Sequence, residues 1–520
     1  MSVANTLIHN FLEQSAEQYP DKIALIHEDV RVNYADINAS ANRLAHWLIK
    51  DGIRIGDRVA LIFENSLEYV VGYYGILKTG AVAVPLSTDL KPDGLGRLVS
   101  ELEPRGIITS SRFERLVQAT DISGVDIQSL IIKDFKLDWH SASFPVFGWR
   151  EVVTGGDSSN PDISINDGSL ASIIYTSGST GAPKGVMLSH GNIVSNTHSI
   201  CQYLCLTDQD IQMTVLPFFY VMGKSLLNTH FAVGGTIVIN NKFAFPATVI
   251  KQMVEEHVTG FSGVPSTYAY LLHRSPLEKY RDQLTSLRYC SQAGGHMSKK
   301  IKEELRCALP AHTKIFIMYG ATEASARLTY LEPDHFTEKI ESIGKPITGV
   351  TLKILDENGR EVPGGQTGEL VGNGPNIMQG YWRDQDATAS VLDRHGYHTG
   401  DQGYKDEDGC FYVTGRKDKL LKVGGHRINP QEIEDTLMES DLVMETAVMG
   451  VADALLGHRL IALVAPKNGN CSENMILGRC AERMPKYKMP SEVKLVRTLP
   501  KNTTGKIDMF KCMELAEKNV

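Results

Sequence analysis

YTSGSTGAPKGV, residues 175–186, packs more hydroxyls and glycines beside a single lysine than any other stretch of this 520-residue chain. One apolar run, residues 171–175, leads in and another, residues 186–188, leads out, so the stretch is expected to join two strands. Gly178, Gly181 and Gly185 allow backbone geometry closed to other residues. Thr176, Ser177, Ser179 and Thr180 add hydroxyl donors. Backbone N–H groups in such a loop converge on an anion, and Lys184 adds a mobile point charge suited to a polyphosphate tail. The loop is not of the Gly-Lys-Ser/Thr type, because Pro183 precedes Lys184 and Gly185 follows it.

Composition sets the frame around this cradle. With 42% hydrophobic and 22% charged residues the chain is expected to fold as a soluble protein, and 520 residues are too many for one core, so at least two domains follow. The net charge of -8 supplies no basic face, and nucleic acid is not an expected partner. Eight cysteines lie scattered without a CxxC pair or metal spacing, which suits reduced thiols in a cytoplasmic protein. No apolar run reaches membrane-span length, and Glu13 and Glu17 interrupt the first twenty residues.

In chain order, Leu7, Phe11, Leu12 and Ala16, and then Tyr34, Ile37, Leu44, Ala45 and Leu48, recur at helical spacing. Residues 59–63, 67–78 and 81–85 read as a parallel βαβ crossover, which sets an α/β architecture. Residues 110–167 read as surface connection. The aromatic segment TVLPFFYVMGKSLLN, residues 214–228, is broken by Pro217 and Gly223. FSGVPSTYAYLL (261–272) turns from strand to helix at Pro265. LRYCSQAGGH (287–296) runs a strand into Ala293, Gly294 and Gly295, whose small side chains admit a flat ligand. A strand at 315–319 delivers YGATE, in which the Tyr319 ring can stack on a purine, the Thr322 hydroxyl can bind a phosphoryl oxygen and Glu323 can hold Mg2+. From residue 351 a small β subdomain is expected, ending at GYW (380–382). Beyond it, Asp401 and Arg416 each sit on a glycine turn. A compact α+β unit follows, and the tail LPKNTTGKID, residues 499–508, places Lys506 in a glycine-turned loop.

Six motifs in this order, over nearly the whole chain, resemble the adenylate-forming superfamily of acyl-CoA synthetases, carrier-protein-linked adenylation domains and luciferases. The resemblance implies a large N-terminal α/β domain, residues 1–417, of mixed sheets with helices and a small β subdomain. A small mobile α+β C-terminal domain, residues 418–520, would swing on a hinge at Asp418. It implies ATP, Mg2+ and coenzyme A, with Lys506, Lys422 and Glu323 catalytic and Glu323 the metal ligand. Thr176, Ser177, Gly178, Ser179, Thr180, Gly181, Lys184, Gly294, Gly295, Tyr319, Gly320, Thr322, Asp401 and Arg416 would bind the nucleotide. Asp401 would accept the ribose hydroxyls. Tyr220, Met222, Val264 and Ala293 would line the pocket for an apolar acyl or aryl group, and Gly424 and Gly425 the thiol channel. Tyr220 stands where the family pattern has His and His296 where it more often has Pro. The Asp that holds an amino acid's ammonium is absent, which argues against an amino-acid substrate. The expected reaction converts a carboxylic acid to its acyl-adenylate and then passes the acyl group to CoA. A separate carrier protein is the alternative acceptor, and a homodimer is left open.

Overall fold

The computed structural model describes residues 7–140, 142–177, 183–423, 425–453, 457–467 and 471–518. Two large sheets organise the N-terminal domain. In the first, the strands Ile211–Thr214, Thr236–Ile239, Gly260–Gly263, Tyr289–Gln292 and Lys314–Tyr319 run parallel, with helices in the crossovers. Their apolar runs are buried on both faces, as parallel strands require. Parallel strands end on one edge of a sheet, so the segments after Thr214, Gly263, Gln292 and Tyr319 emerge together there. That edge is where ligands bind in open α/β sheets.

The second sheet contains the predicted crossover: Arg58–Ile62 pairs in parallel with Val82–Pro85, and helix Leu67–Lys78 connects them. This helix is apolar nearly all round and is therefore buried between the sheets. It meets helix Val221–Val233 of the first sheet, with the Tyr74 and Phe231 rings stacked 5.5 Å apart and Tyr69 Oη donating to the Phe218 carbonyl at 2.8 Å. The cradle strands, Leu170–Ser177 and Pro183–Ser189, form an antiparallel hairpin at one side of this sheet.

Two expectations need correction. Residues 110–167 are not mere connection, because the strands Ser129–Lys133 and Val146–Gly148 extend the second sheet. Their short apolar runs are separated by polar turns, which hides the pattern. GYW does not close the β subdomain either. Gly380–Tyr381 pairs with Met187 and Val186 of the cradle hairpin, while the subdomain, Thr351–Leu355, Gly368–Asn373, Gly396–Lys405 and Phe411–Arg416, continues past it.

The smaller C-terminal domain is α+β. Leu421–Val423, His426–Ile428, Val443–Asp453, Gly457–Pro466 and Glu492–Leu495 form its sheet, packed by Pro430–Met438, Glu473–Arg483 and Met509–Glu517. All eight cysteines are free thiols. Among the described residues no helix is long and apolar enough to cross a membrane.

Candidate active site

The hairpin register sets Thr176 opposite Lys184 and Tyr175 opposite Gly185. Gly178, Ser179, Thr180 and Gly181 lie outside the described residues, as does the side chain of Ser177. Gly185 is needed for close packing: a Cβ there would come within 2.9 Å of Ile173 and 3.2 Å of Trp382. Lys184 Nζ sits 5.0 Å from the centre of the Tyr381 ring, and Tyr381 Oη donates to Glu323 Oε1 at 2.8 Å. Burial and the neighbouring carboxylate raise the Tyr381 pKa, so the phenol stays protonated and keeps donating. One tyrosine thus joins cradle lysine and candidate metal ligand.

The YGATE loop is tightly folded. A Cβ on Gly320 would lie 2.2 Å from the Ala326 carbonyl, and Ser325 and Ala326 both adopt positive φ, 54° and 117°. Such backbone persists only where its surroundings fix it. Asn376 Nδ2 donates to the carbonyls of Ala324 and Arg327, at 3.0 and 2.8 Å, and Ser325 Oγ donates to the Asn376 carbonyl. Thr322 is buried inside this loop. Glu323 fits Mg2+ as a single carboxylate ligand completed by phosphate oxygens and water, the usual pattern for that ion. Among the described residues no cluster of three acidic, His or Cys side chains could hold a metal alone.

Strand pairing places Asp401 opposite Arg416, with Nη1 3.7 Å from Oδ1. Tyr319 Oη donates to Asp401 Oδ2 at 2.6 Å. Burial, reinforced by that carboxylate, raises the Tyr319 pKa and keeps the phenol a donor. Asp401 is therefore pre-oriented across the gap between sheet and subdomain.

Met222, Val264 and Ala293, the expected pocket residues, share one apolar cluster with Tyr289, Phe316 and Met318, and Tyr220 and Tyr203 pack at its margin. The tail loop closes over it. Asn502 Oδ1 accepts from the Lys506 and Thr504 amides at 3.1 and 3.0 Å, Gly505 turns at φ 79°, and Ser266 Oγ donates to the Gly505 carbonyl. Lys506 Nζ comes to 5.0 Å from the Tyr220 ring centre. Gly294, at φ 85°, leaves the room: a Cβ there would lie 3.2 Å from Lys506 Cε and 3.3 Å from Tyr220 Oη. Gly295 lies beside Pro265.

The small domain is held in this position by further contacts. His296 Nε2 lies 2.8 Å from Asp435 Oδ1, Lys467 Nζ lies 2.8 Å from Glu304 Oε1, and Lys300 pairs with Asp441. Burial works against Glu304 ionising, yet Lys467 and His273, the latter 3.2 Å away, hold its pKa down to about 2. Lys422 and Gly425 belong to the C-terminal sheet and the turn of its first hairpin, and Lys422 is exposed. Gly424 and the Asp418 side chain lie outside what is described; the Asp418 backbone forms a one-turn helix, Lys417–Lys419. Sequence reading missed Ser266, Tyr381 and Arg327 as neighbours of the site.

Residues 12–382 match the family model for the AMP-binding enzyme, and residues 432–506 that for the AMP-binding enzyme C-terminal domain. The chain belongs to the AMP-binding enzyme family. Within this adenylate-forming superfamily it is an AMP-forming acid–thiol ligase of the acyl-CoA synthetase type. The ligase is 31% identical over 512 residues to a 2-succinylbenzoate--CoA ligase of Bacillus cereus, covering 98% of each chain. It is 29% identical over 521 residues to the medium-chain fatty-acid--CoA ligase of Escherichia coli, covering 96% of this chain and 89% of that one. Its fold superposes on ATP-bound MatB from Rhodopseudomonas palustris with a TM-score of 0.85 at 28% identity, covering 98% of both chains.

Proposed function

We propose that the ligase activates a carboxylic acid with an apolar acyl or aryl body as its acyl-adenylate, releases pyrophosphate, and transfers the acyl group to the thiol of coenzyme A. The observation that carries this reading is the docking of the Lys506 loop on Ser266 with its ammonium over Tyr220, beside Gly294. Attack of a carboxylate on the α-phosphorus of ATP brings two anions together, so the barrier falls when positive charge and alignment are supplied in advance. Lys506 supplies charge from the acid side. Lys184 and the cradle residues Thr176, Ser177, Gly178, Ser179, Thr180 and Gly181 hold the polyphosphate, and Thr322 and Gly320 flank it. Asp401 and Arg416 hold the ribose, while Tyr319, Ala293, Gly294 and Gly295 wall the adenine. A Mg2+ bound by Glu323 would neutralise phosphate charge as pyrophosphate leaves.

The second step needs a thiol where Lys506 now sits. We assign the domain boundary to residues 417 and 418 and the hinge to Asp418, so that rotation exchanges the tail loop for the hairpin carrying Lys422, Gly424 and Gly425. The relatives act on 2-succinylbenzoate and on medium-chain fatty acids, which supports an acid with an apolar body. Acid-dependent exchange of labelled pyrophosphate into ATP across a panel of acids tests the first step. Mass detection of the acyl-CoA tests the second. No exchange with any acid would refute the ligase reading.

A further inference from the structure

Beside the proposed acyl pocket the structure buries a guanidinium that forms no ion pair with an acid among the described residues. Arg327 is only 1% exposed. Its Nη1 donates to the Ala326 carbonyl at 3.1 Å, its Nε lies 3.3 Å from Met318 Sδ, and the guanidinium also hydrogen-bonds the Tyr203 hydroxyl, so its partners are a carbonyl, a thioether and a phenol, all neutral. The ionisable groups that bear on it are the phenols of Tyr203 and Tyr220. No carboxylate forms an ion pair with it among the described residues.

A second buried cation shows why this matters. Lys224, 2% exposed, has no hydrogen-bond partner among the described residues and lies 4.3 Å from the Tyr73 ring centre, on the side of its helix facing Leu67–Lys78. An amine can shed its proton, and burial drives the Lys224 pKa well down. A guanidinium keeps its charge in proteins, so Arg327 has no such escape, and a carboxylate brought by a ligand would pair with it.

Its surroundings point to where that ion would come from. Met318 and Tyr203, joined by a 2.8 Å contact from the Tyr203 hydroxyl to the sulfur, belong to the cluster of Met222, Val264 and Ala293. Tyr220, the residue beneath Lys506, is close enough to Arg327 to act on its charge. Tyr220 thus neighbours both cations, Lys506 and Arg327, at the margin of that apolar cluster.

We propose that Arg327 binds a second carboxylate on the substrate, so that this ligase is selective for acids carrying a carboxylate at each end of an apolar chain or ring. The proposal rests on the ligase reading above. One carboxylate would meet ATP beneath Lys506, and the other would take the remaining N–H groups of Arg327, whose planar fork suits carboxylate pairing.

The experiment compares linear monocarboxylic acids of four to ten carbons with the α,ω-diacids of the same length, and benzoate with 2-carboxybenzoate and 2-succinylbenzoate, by pyrophosphate exchange on the wild-type ligase. A pocket built to pair a polar group rejects the analogue lacking it, so kcat/KM for the best diacid should exceed that of its monoacid by roughly 100-fold or more. Arg327→Met should erase most of that ratio and Arg327→Lys should keep part of it. Preference for monoacids in the wild type would overturn the proposal, whether or not the variants fold. Equal losses on both acids in Arg327→Met would also overturn it, leaving Arg327 a brace for the YGATE loop. Exchange with monoacids alone would spare the ligase reading; exchange with no acid would remove both.

Discussion

Lys506 reaches Tyr220 because the Asn502 side chain ties down the turn that carries it and Ser266 receives that turn. In the proposed role its charge is needed while pyrophosphate leaves and not afterwards. Lys506→Ala should therefore slow adenylate formation about 10²–10³-fold, yet leave thioester formation from supplied acyl-adenylate within a few-fold. Equal loss in both half-reactions would make the residue structural. At Glu323, replacement by Gln keeps the hydrogen bond from Tyr381 but loses the charge proposed to hold Mg2+. Glu323→Gln should raise the Mg2+ concentration for half-maximal exchange about tenfold or more, with KM for the acid little changed; an unmoved Mg2+ titration would place the metal elsewhere. Lys506, Glu323 and Asp401 stood out in the sequence because each lies in a compact motif. Ser266, Tyr381 and Arg327 did not, since what distinguishes them is burial or a partner far away in the chain.

Between residues and molecule stand the elements that move or stay. The hinge assignment makes the turn Lys417–Lys419 absorb the rotation, and proline fixes φ at one position without touching either core. Asp418→Pro should keep pyrophosphate exchange within a few-fold and lose most CoA thioester formation. Gly425→Leu should do the same, by obstructing the thiol arm and by straining a residue whose φ is 86°. Both half-reactions measured on one preparation, with thermal unfolding alongside, decide the matter; proportional losses would refute the hinge. Helices and parallel strands were legible from apolar spacing, down to the bounds of Leu67–Lys78. The strands Ser129–Lys133 and Val146–Gly148 were not, because short strands take their identity from the neighbours they pair with. GYW misled for the same reason: nothing local says that Gly380–Tyr381 pairs with residues 186 and 187.

Taken whole, the molecule carries titratable groups that oppose one another in its two domains. His9 and His190 pack edge to face at 5.8 Å in the large domain, and Ile8 N–H donates to His190 Nδ1, which requires a bare nitrogen. Burial, with Lys78 beside His9 and His9 beside His190, pushes both pKa values down to about 3. The unfolded chain then binds protons that the folded one refuses between pH 6.5 and 3, so large-domain stability falls toward acid, at most by about 1.4 kcal/mol per pH unit for each ring. Glu434 in the small domain runs the other way. Burial raises it to about 7 despite the hydrogen bond from Val448 N–H, so the folded state binds the extra proton between pH 4.5 and 7, and stability there falls as pH rises. Calorimetry from pH 7 to 5 should show the large-domain transition dropping while the small-domain transition holds or rises. Glu434→Gln should flatten the second trend; parallel shifts in both would refute the assignment. The pairing of Gly380–Tyr381 with the cradle hairpin carries one more consequence, for the protein's birth. On the ribosome the outer edge of Pro183–Ser189 waits for a partner roughly 190 residues downstream, which at typical elongation rates takes about 10–40 s. During that wait an apolar strand edge stands open to any other chain that can pair with it.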